Sequence, residues 1–269
     1  LNRVRDLLVL AALLLYAAPV MWQILTSLTP EAELLDTARW WPSRPTLAHY
    51  QAVLVQSPLP RAMLNSAGIA VLTTLLAVGL GTLGGYALAR LPVPGRRPVM
   101  LGIVMSTAFP AIATVAPLYL IVRGLGLRDT WWALILADTS FALPLMLWLV
   151  AGFIRELPPE LEEAAFVDGT GRLGALRYVI LPAAAPGIAA AALVAFLGTW
   201  NEFLFAYTFT ATEASRTVPV ALALFPGVFE VPWGDIAAAA LLASAPPVFI
   251  VFGLQKYLVR GLLAGAVKE

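Results

Sequence analysis

The chain has no cysteine, one histidine and two lysines among its 269 residues. Without cysteine it forms no disulfide and offers no thiolate for metal or redox chemistry. The single histidine, His49, excludes histidine metal clusters and leaves a Ser-His-Asp hydrolytic arrangement little support. It lies in a polar stretch, where a solvated or interfacial side chain is expected. Neither Lys256 nor Lys268 follows a Gly-rich loop, so the chain has no phosphate-binding loop of the GxxxxGK type. Charge is scarce as well: 12% of residues are charged and the formal net charge is +1, which gives no electrostatic footprint for nucleic acid. No metal-ligand spacing or catalytic constellation is present. What the chain has in excess is apolar surface. It is 60% hydrophobic with a mean hydropathy of +0.84, which rules out an ordinary soluble domain.

Six apolar stretches, at about 7–28, 64–89, 99–122, 132–154, 184–209 and 236–258, are each long enough to cross a bilayer at roughly 20 residues. The first follows Arg3 and Arg5. A basic head and an apolar run also describe a signal peptide, with Ala17-Ala18 as a cleavage region, but the length favours an uncleaved span. The fold expected is an all-α membrane protein, a single domain over 1–269 with six transmembrane helices.

Features of the intervals agree with that frame. Trp40-Trp41 and Trp131-Trp132 fit the aromatic belt at a membrane surface. Gly79-x-Gly81-x-x-Gly84 has the form of a dinucleotide fingerprint but lies inside an apolar run with no strand before it, so the match is spurious. Gly81-x-x-x-Gly85 predicts close helix packing within lipid. Pro110 and Pro117 interrupt the third span, as happens where neighbouring helices or a water-filled path satisfy the freed backbone groups.

The stretch 157–187 carries the most specific pattern. Pro158 and Pro159 suit the first turn of a helix, where a missing N–H costs nothing. Glu160, Glu162 and Glu163 load that turn with negative charge, which the helix dipole favours. Gly169 can take the left-handed conformation that closes a helix. Thr170 is an acceptable N-cap for a second short helix through Arg172, Leu176 and Arg177, and Leu181-Pro182 is expected to end it. The two helices form a helix-turn-helix between spans four and five.

Glu163-Ala164-Ala165, three residues, Gly169, nine residues, then Val179-Ile180-Leu181-Pro182 resembles the EAA loop of ABC importer permeases, whose pattern reads EAA, three residues, G, nine residues, I, one residue, LP. Val179 stands where Ile is commoner. Asp168 and Pro186 also look like the family. Three further stretches resemble its carbohydrate branch, the maltose-permease type: Pro117-Leu-Tyr-Leu with Gly126-Leu127, Trp200-Asn201-Glu202-Phe203-Leu204-Phe205, and the tail from Gly261 through Gly265 to Lys268.

The resemblance implies a non-catalytic permease subunit of a sugar or oligosaccharide importer in the cell (inner) membrane. It further implies a second permease subunit, two ATPase subunits that bind ATP and Mg, and an extracytoplasmic solute-binding protein. This chain would bind no cofactor itself. Glu160, Glu163, Ala164, Ala165, Asp168, Gly169, Leu181 and Pro182 are the candidates for docking the ATPase. Gly261, Gly265 and Lys268 would reach the interface between the ATPase subunits. The loop 210–233, restricted by Pro219, Pro226, Gly227 and Pro232, is expected to face outside and touch the binding protein, with Phe225 and Phe229 as points to test.

With six spans both termini share one side. Arg3, Arg5, Arg90, Arg96, Arg97, Arg155, Arg172, Arg177, Lys256, Arg260 and Lys268 lie there, eleven cations. Six lie opposite: Arg39, Arg44, Arg61, Arg123, Arg128 and Arg216. The positive-inside rule puts the termini and the 157–187 loop in the cytoplasm.

A sugar pathway needs hydrogen-bonding side chains and aromatic faces. Asn201 and Glu202 are the candidates, with Asp138, Asn65 and Ser66 as companions. Neighbours on a helix differ by roughly 100°, so not all of Trp200 to Phe203 can face one lumen. The alternatives are that Glu202 sits at headgroup level or pairs with the partner permease. Asp138 and Glu202, as intramembrane carboxylates, also suit an ion-driven secondary transporter, although no internal repeat is evident. A permease for a non-sugar solute and a structural or receptor membrane protein are the remaining alternatives.

Overall fold

Among the described residues the apolar runs, punctuated by proline and glycine, fold as helices. The computed structural model describes residues 2–34, 41–225 and 231–266, with side chains for 3–34, 41–225 and 231–255. Arg39, Trp40, Pro226, Gly227, Phe229 and Lys268 lie outside the described residues. In order the elements are α1 (Asn2–Leu28), α2 (Ala48–Gln56), α3 (Leu59–Arg90), α4 (Arg96–Thr107), α5 (Ala111–Gly124), α6 (Trp131–Glu156), α7 (Glu160–Val167), α8 (Arg172–Ala175), a π turn (Leu176–Ile180), α9 (Leu181–Trp200), α10 (Leu204–Phe209), α11 (Val218–Ala223) and α12 (Trp233–Ala266). Among the described residues five segments are long and apolar enough to cross a membrane: Arg3–Leu28, Leu59–Arg90, Trp131–Glu156, Arg172–Trp200 and Trp233–Gln255. Counting α4 and α5 as one broken span makes six.

Three expectations are corrected by the backbone. The third apolar run is two helices that meet at 94°. Pro110 brings no N–H and pushes Phe109 out of helical geometry, while Pro117 lies inside α5 without ending it. The fifth run ends at Trp200 rather than near 209; Asn201 caps α9 and a separate short helix begins at Leu204. Pro182 does not end a helix. The N–H of Leu181 bonds five residues back to the Leu176 carbonyl, and this wider turn carries α8 into α9 as one apolar segment. The backbone of Gly261 and Gly265, on which no secondary structure was expected, continues α12, since extending an existing helix avoids the cost of nucleating a new one.

The described chain divides into two compact units. The first joins Leu1–Met63 with Val218–Pro246. Val53, Leu59, Ala238 and Ala239 form its small core. His49 belongs to this unit and is buried rather than solvated. It sits in the first turn of α2, with Nδ1 2.7 Å from Asp235 Oδ1 and Nε2 2.9 Å from the Thr29 carbonyl. Gly234 makes room for it: a Cβ there would lie 2.3 Å from the ring. Most of α1 is exposed, Leu7, Leu8, Leu13 and Leu14 included. In water such a face would be a liability; against lipid it is ordinary.

The second unit joins Leu64–Thr217 with Pro247–Glu269. Its core draws Tyr86 and Ala89 from α3, Met146, Val150 and Ile154 from α6, Leu176 and Ile180 from the π turn, and Ala184 and Ala191 from α9. The close packing expected at Gly81 and Gly85 is present. A Cβ on Gly81 would stand 2.2 Å from Met146 Cγ, and one on Gly85 would meet Val150 Cγ1 at 2.9 Å and the Ala151 nitrogen at 3.1 Å. Gly187 does the same for α9, where a Cβ would enter the Phe153 ring.

Candidate functional site

The loop helix α7 is held by its neighbours on one side and bare on the other. Its acidic first turn follows Pro158-Pro159, and the Pro159 carbonyl accepts from the amides of Glu162 and Glu163. At the far end Gly169 has φ +85°. Its N–H reaches the Phe166 carbonyl at 3.1 Å, and the Thr170 N–H reaches the Ala165 carbonyl at 3.0 Å. That pair of bonds is the Schellman closure which a glycine at this position serves. Thr170 acts here rather than as an N-cap: its hydroxyl also donates to the Ala165 carbonyl, 2.7 Å, and Gly171 precedes α8.

Glu162 points inward and is buried. The Tyr86 hydroxyl donates to its Oε1, and Arg90 Nε lies 3.4 Å from its Oε2. Arg90 Nη2 also donates to the carbonyls of Ile154, 3.0 Å, and Leu157, 2.6 Å. One guanidinium thus joins the end of α3, the end of α6 and the loop helix. In the sequence Glu162 is a favourable first-turn charge and Arg90 one of the inner-side cations; no local spacing connects either of them with Tyr86.

The other face is open. Glu160, Glu163, Ala164 and Asp168 are exposed, and so are Leu161, Phe166 and Val167, the last at 89%. Ala165 is buried against its own chain, so of the alanine pair only Ala164 is free to meet another surface. Leu181 is half-buried and Pro182 exposed.

The polar residues of the spans fall into two groups. Asp138 and Glu202 line one cavity of about 320 Å³, with Phe141, Phe205 and Thr199 among its walls. Asp138 is 6% exposed and its Oδ1 has no hydrogen-bond partner. The Glu202 carboxylate accepts from the amides of Phe205, 2.7 Å, and Ala206, 2.9 Å, capping α10. Asn201 is exposed and folds its amide back onto the Leu197 carbonyl, 2.8 Å; it does not line that cavity. Asn65 and Ser66 are elsewhere and buried. The Asn65 amide donates to the carbonyls of Glu213, 2.9 Å, and Arg216, 2.8 Å, and its Oδ1 accepts from Trp131 Nε1 at 3.2 Å.

Beside Asn65 the turn before α6 is latched by Asp129, the one non-glycine residue among those described with positive φ, +63°. Its carboxylate accepts from the amides of Ala211 and Thr212 at 2.8 and 3.0 Å, and from the hydroxyls of Thr212 and Ser215 at 2.7 and 2.5 Å. Burial alone would raise its pKa, but those four donors outweigh it and hold the carboxyl well below the usual carboxylate range. Asp tolerates the left-handed region better than most residues.

Comparison with known proteins gives the family of the chain. Residues 77–263 match the family model described as "Binding-protein-dependent transport system inner membrane component". The chain is similar to the trehalose transport system permease protein SugB of Mycobacterium tuberculosis, 42% identical over 252 residues that cover 93% of this chain and 92% of the relative. It is similar to the trehalose/maltose transport system permease protein MalG of Thermococcus litoralis, 37% identical over 270 residues, 98% of this chain and 97% of the relative. In fold it matches a chain from a bacterial ABC transporter that imports the acidic polysaccharide alginate. The TM-score is 0.82 at 22% identity, and the match covers 95% of each chain.

Proposed function

The chain belongs to the binding-protein-dependent transport system inner membrane components, and from that membership we propose that it is one permease half of an ATP-driven importer for a sugar or oligosaccharide. The relatives named for trehalose and for trehalose/maltose support the carbohydrate class. The observation that carries the coupling role is the two-faced α7 helix, clamped to its own chain through Glu162 and presenting Glu160, Glu163, Ala164, Phe166 and Val167 outward.

In this reading α4 and α5 make one broken span, giving six, and the termini and α7 face the cytoplasm. The ATPase pair binds ATP and Mg and docks on α7 in a cleft, with a basic group opposite Glu163. A second permease completes the pathway. A solute-binding protein delivers the sugar to the outer side, where the segment around α11 meets it; crosslinking from Phe225 during turnover should capture that protein, and failure to do so rejects the contact. This subunit moves solute and performs no chemistry on it. Asp138 and Glu202 are its contribution to the pathway. Asn65 is fully engaged in packing, with Ser66 buried next to it, and Asn201 stays outside the shared cavity.

Asp138, buried without a partner on Oδ1, gives the ion-driven reading its one specific support. Uptake of labelled trehalose into vesicles bearing the assembled complex separates the two. The ABC reading requires uptake that depends on ATP and on the binding protein and survives a protonophore. Uptake abolished by the protonophore with ATP present overturns it.

A further inference from the structure

Arg96 and Arg97 open α4, and Arg155 stands at the end of α6, five residues before α7 begins. The three side chains line one cavity of about 340 Å³ whose remaining walls are Met100, Leu101 and Val104. Among the described residues no carboxylate lines it. Among the described residues none of the three arginines takes part in an ion pair. The segment 90–100 contains no acidic residue, and Glu156, next to Arg155, is itself exposed. Membrane topology asks only for basic residues on one side. It does not ask that three from two helices converge on one hollow, where they repel one another.

The chemistry of the hollow selects its occupant. Guanidinium forks bind phosphate oxygens bidentately and lose less hydration than ammonium groups when they do so. The wall opposite is apolar, and Leu101, Val104 and Met105 are exposed at 60%, 40% and 66%. At spacings of three and four residues they make one stripe along α4, leading away from the arginines. A soluble anion has no use for such a stripe. A lipid has, because its glycerol and first acyl carbons continue from the phosphate.

We propose that Arg96, Arg97 and Arg155 hold the phosphate of an anionic phospholipid, with its acyl chains along Leu101, Val104 and Met105. The bound headgroup ties the start of α4 to the end of α6, next to the loop helix. Basic pockets on the cytoplasmic side of membrane proteins take anionic headgroups by this same combination of charge and apolar flank.

The test uses the assembled importer, delipidated in detergent and offered dioleoyl-phosphatidylglycerol, dioleoyl-phosphatidylcholine or inorganic phosphate. Native mass spectrometry counts retained lipid, and thermal unfolding reports stabilisation. Phosphatidylglycerol should be retained and raise Tm, with little effect of phosphatidylcholine or phosphate. Arg96→Gln/Arg97→Gln/Arg155→Gln should reduce retained phosphatidylglycerol about tenfold. Leu101→Trp, at an exposed position, fills the hollow with the arginines intact and should do the same. It decides the matter if the triple variant fails to assemble. Retention unchanged in Leu101→Trp overturns the site. Stabilisation by inorganic phosphate equal to that by phosphatidylglycerol overturns the lipid in favour of a free anion.

Discussion

Arg90 and Glu162, far apart in sequence, form an ion pair at 3.4 Å with side chains 13% and 10% exposed. Removing one partner of such a pair leaves the other charge buried alone, at a typical cost of about 3–5 kcal/mol. Glu162→Ala should therefore lower the unfolding temperature of the purified complex, and Arg90→Ala should do at least as much because two backbone carbonyls also lose their donor. Arg90→Leu/Glu162→Leu should be milder than the sum of the singles. A double variant as damaged as that sum would mean that the two groups do not interact.

Glu163, one residue further along, should behave in the opposite way. It is exposed, so Glu163→Lys should leave stability of the permease near wild type and abolish capture of the ATPase in a pull-down. Gly169→Pro should fail there too, since proline cannot take φ +85°. Gly169→Asn, which tolerates that region, should retain most assembly. Undiminished capture and transport in Glu163→Lys and Gly169→Pro would remove α7 from the coupling path.

Asp129 supplies a pH dependence whose sign is fixed by its depressed pKa. Four donors favour the ionised form in the folded chain. The stability it contributes is present above the ordinary carboxylate value, about 4, and is lost as pH falls below that toward the folded value. Asp129→Asn should be less stable at pH 7 and should lose less than wild type between about pH 4 and pH 3. Parallel melting curves for the two across that window would contradict the latch.

The carboxyl pair in the α6–α9 cavity should matter to the sugar and not to the motor. A hydrogen bond from a hydroxyl to a charged group contributes about 1.5–3 kcal/mol. Glu202→Gln should thus weaken apparent affinity in uptake roughly tenfold or more, with binding-protein-stimulated ATPase activity largely retained. Asp138→Asn should act likewise. Loss of the assembled complex in both would assign them to packing.

Deleting 261–269 tests the tail. The backbone of α12 runs on to Ala266, so the deletion shortens an existing helix and should leave insertion intact. ATP hydrolysis should continue while uptake per ATP falls. Full transport by the shortened chain would reject a role for these residues in coupling.

What the sequence made legible follows from how local each cause is. Gly169 could be read as a helix closure because left-handed backbone selects glycine within a single turn. Gly81 and Gly85 announced close packing because only their missing side chains permit it, and Met146 and Val150 occupy the space. Asp138 and Glu202 stood out because carboxylates are costly in apolar spans. The clamp of Tyr86 and Arg90 on Glu162 had no local sign, since it depends on the approach of α3 to the loop. In the sequence nothing near His49 tells what packs on it; Gly234 and Asp235, which meet its ring, lie at the other end of the chain. Pro182 looked like a stop because proline usually is one, and only the hydrogen bond from Leu181 to Leu176 shows how the helix passes it.

That wider turn at Leu176–Ile180 also sets a phase. A residue added to or removed from a helix turns everything beyond it by about 100°, and a π turn is an α-helix with such a surplus accommodated in place. Taking one residue out of 176–180 would restore ordinary winding, leave α9 where it is, and swing α8 and α7 a quarter-turn or more around its axis. The face carrying Glu163 and Phe166 would then address a different quadrant. The count of residues between Gly169 and Pro182 therefore works as an angular setting, and deleting one residue there should uncouple the motor while every side chain of α7 is still in the chain.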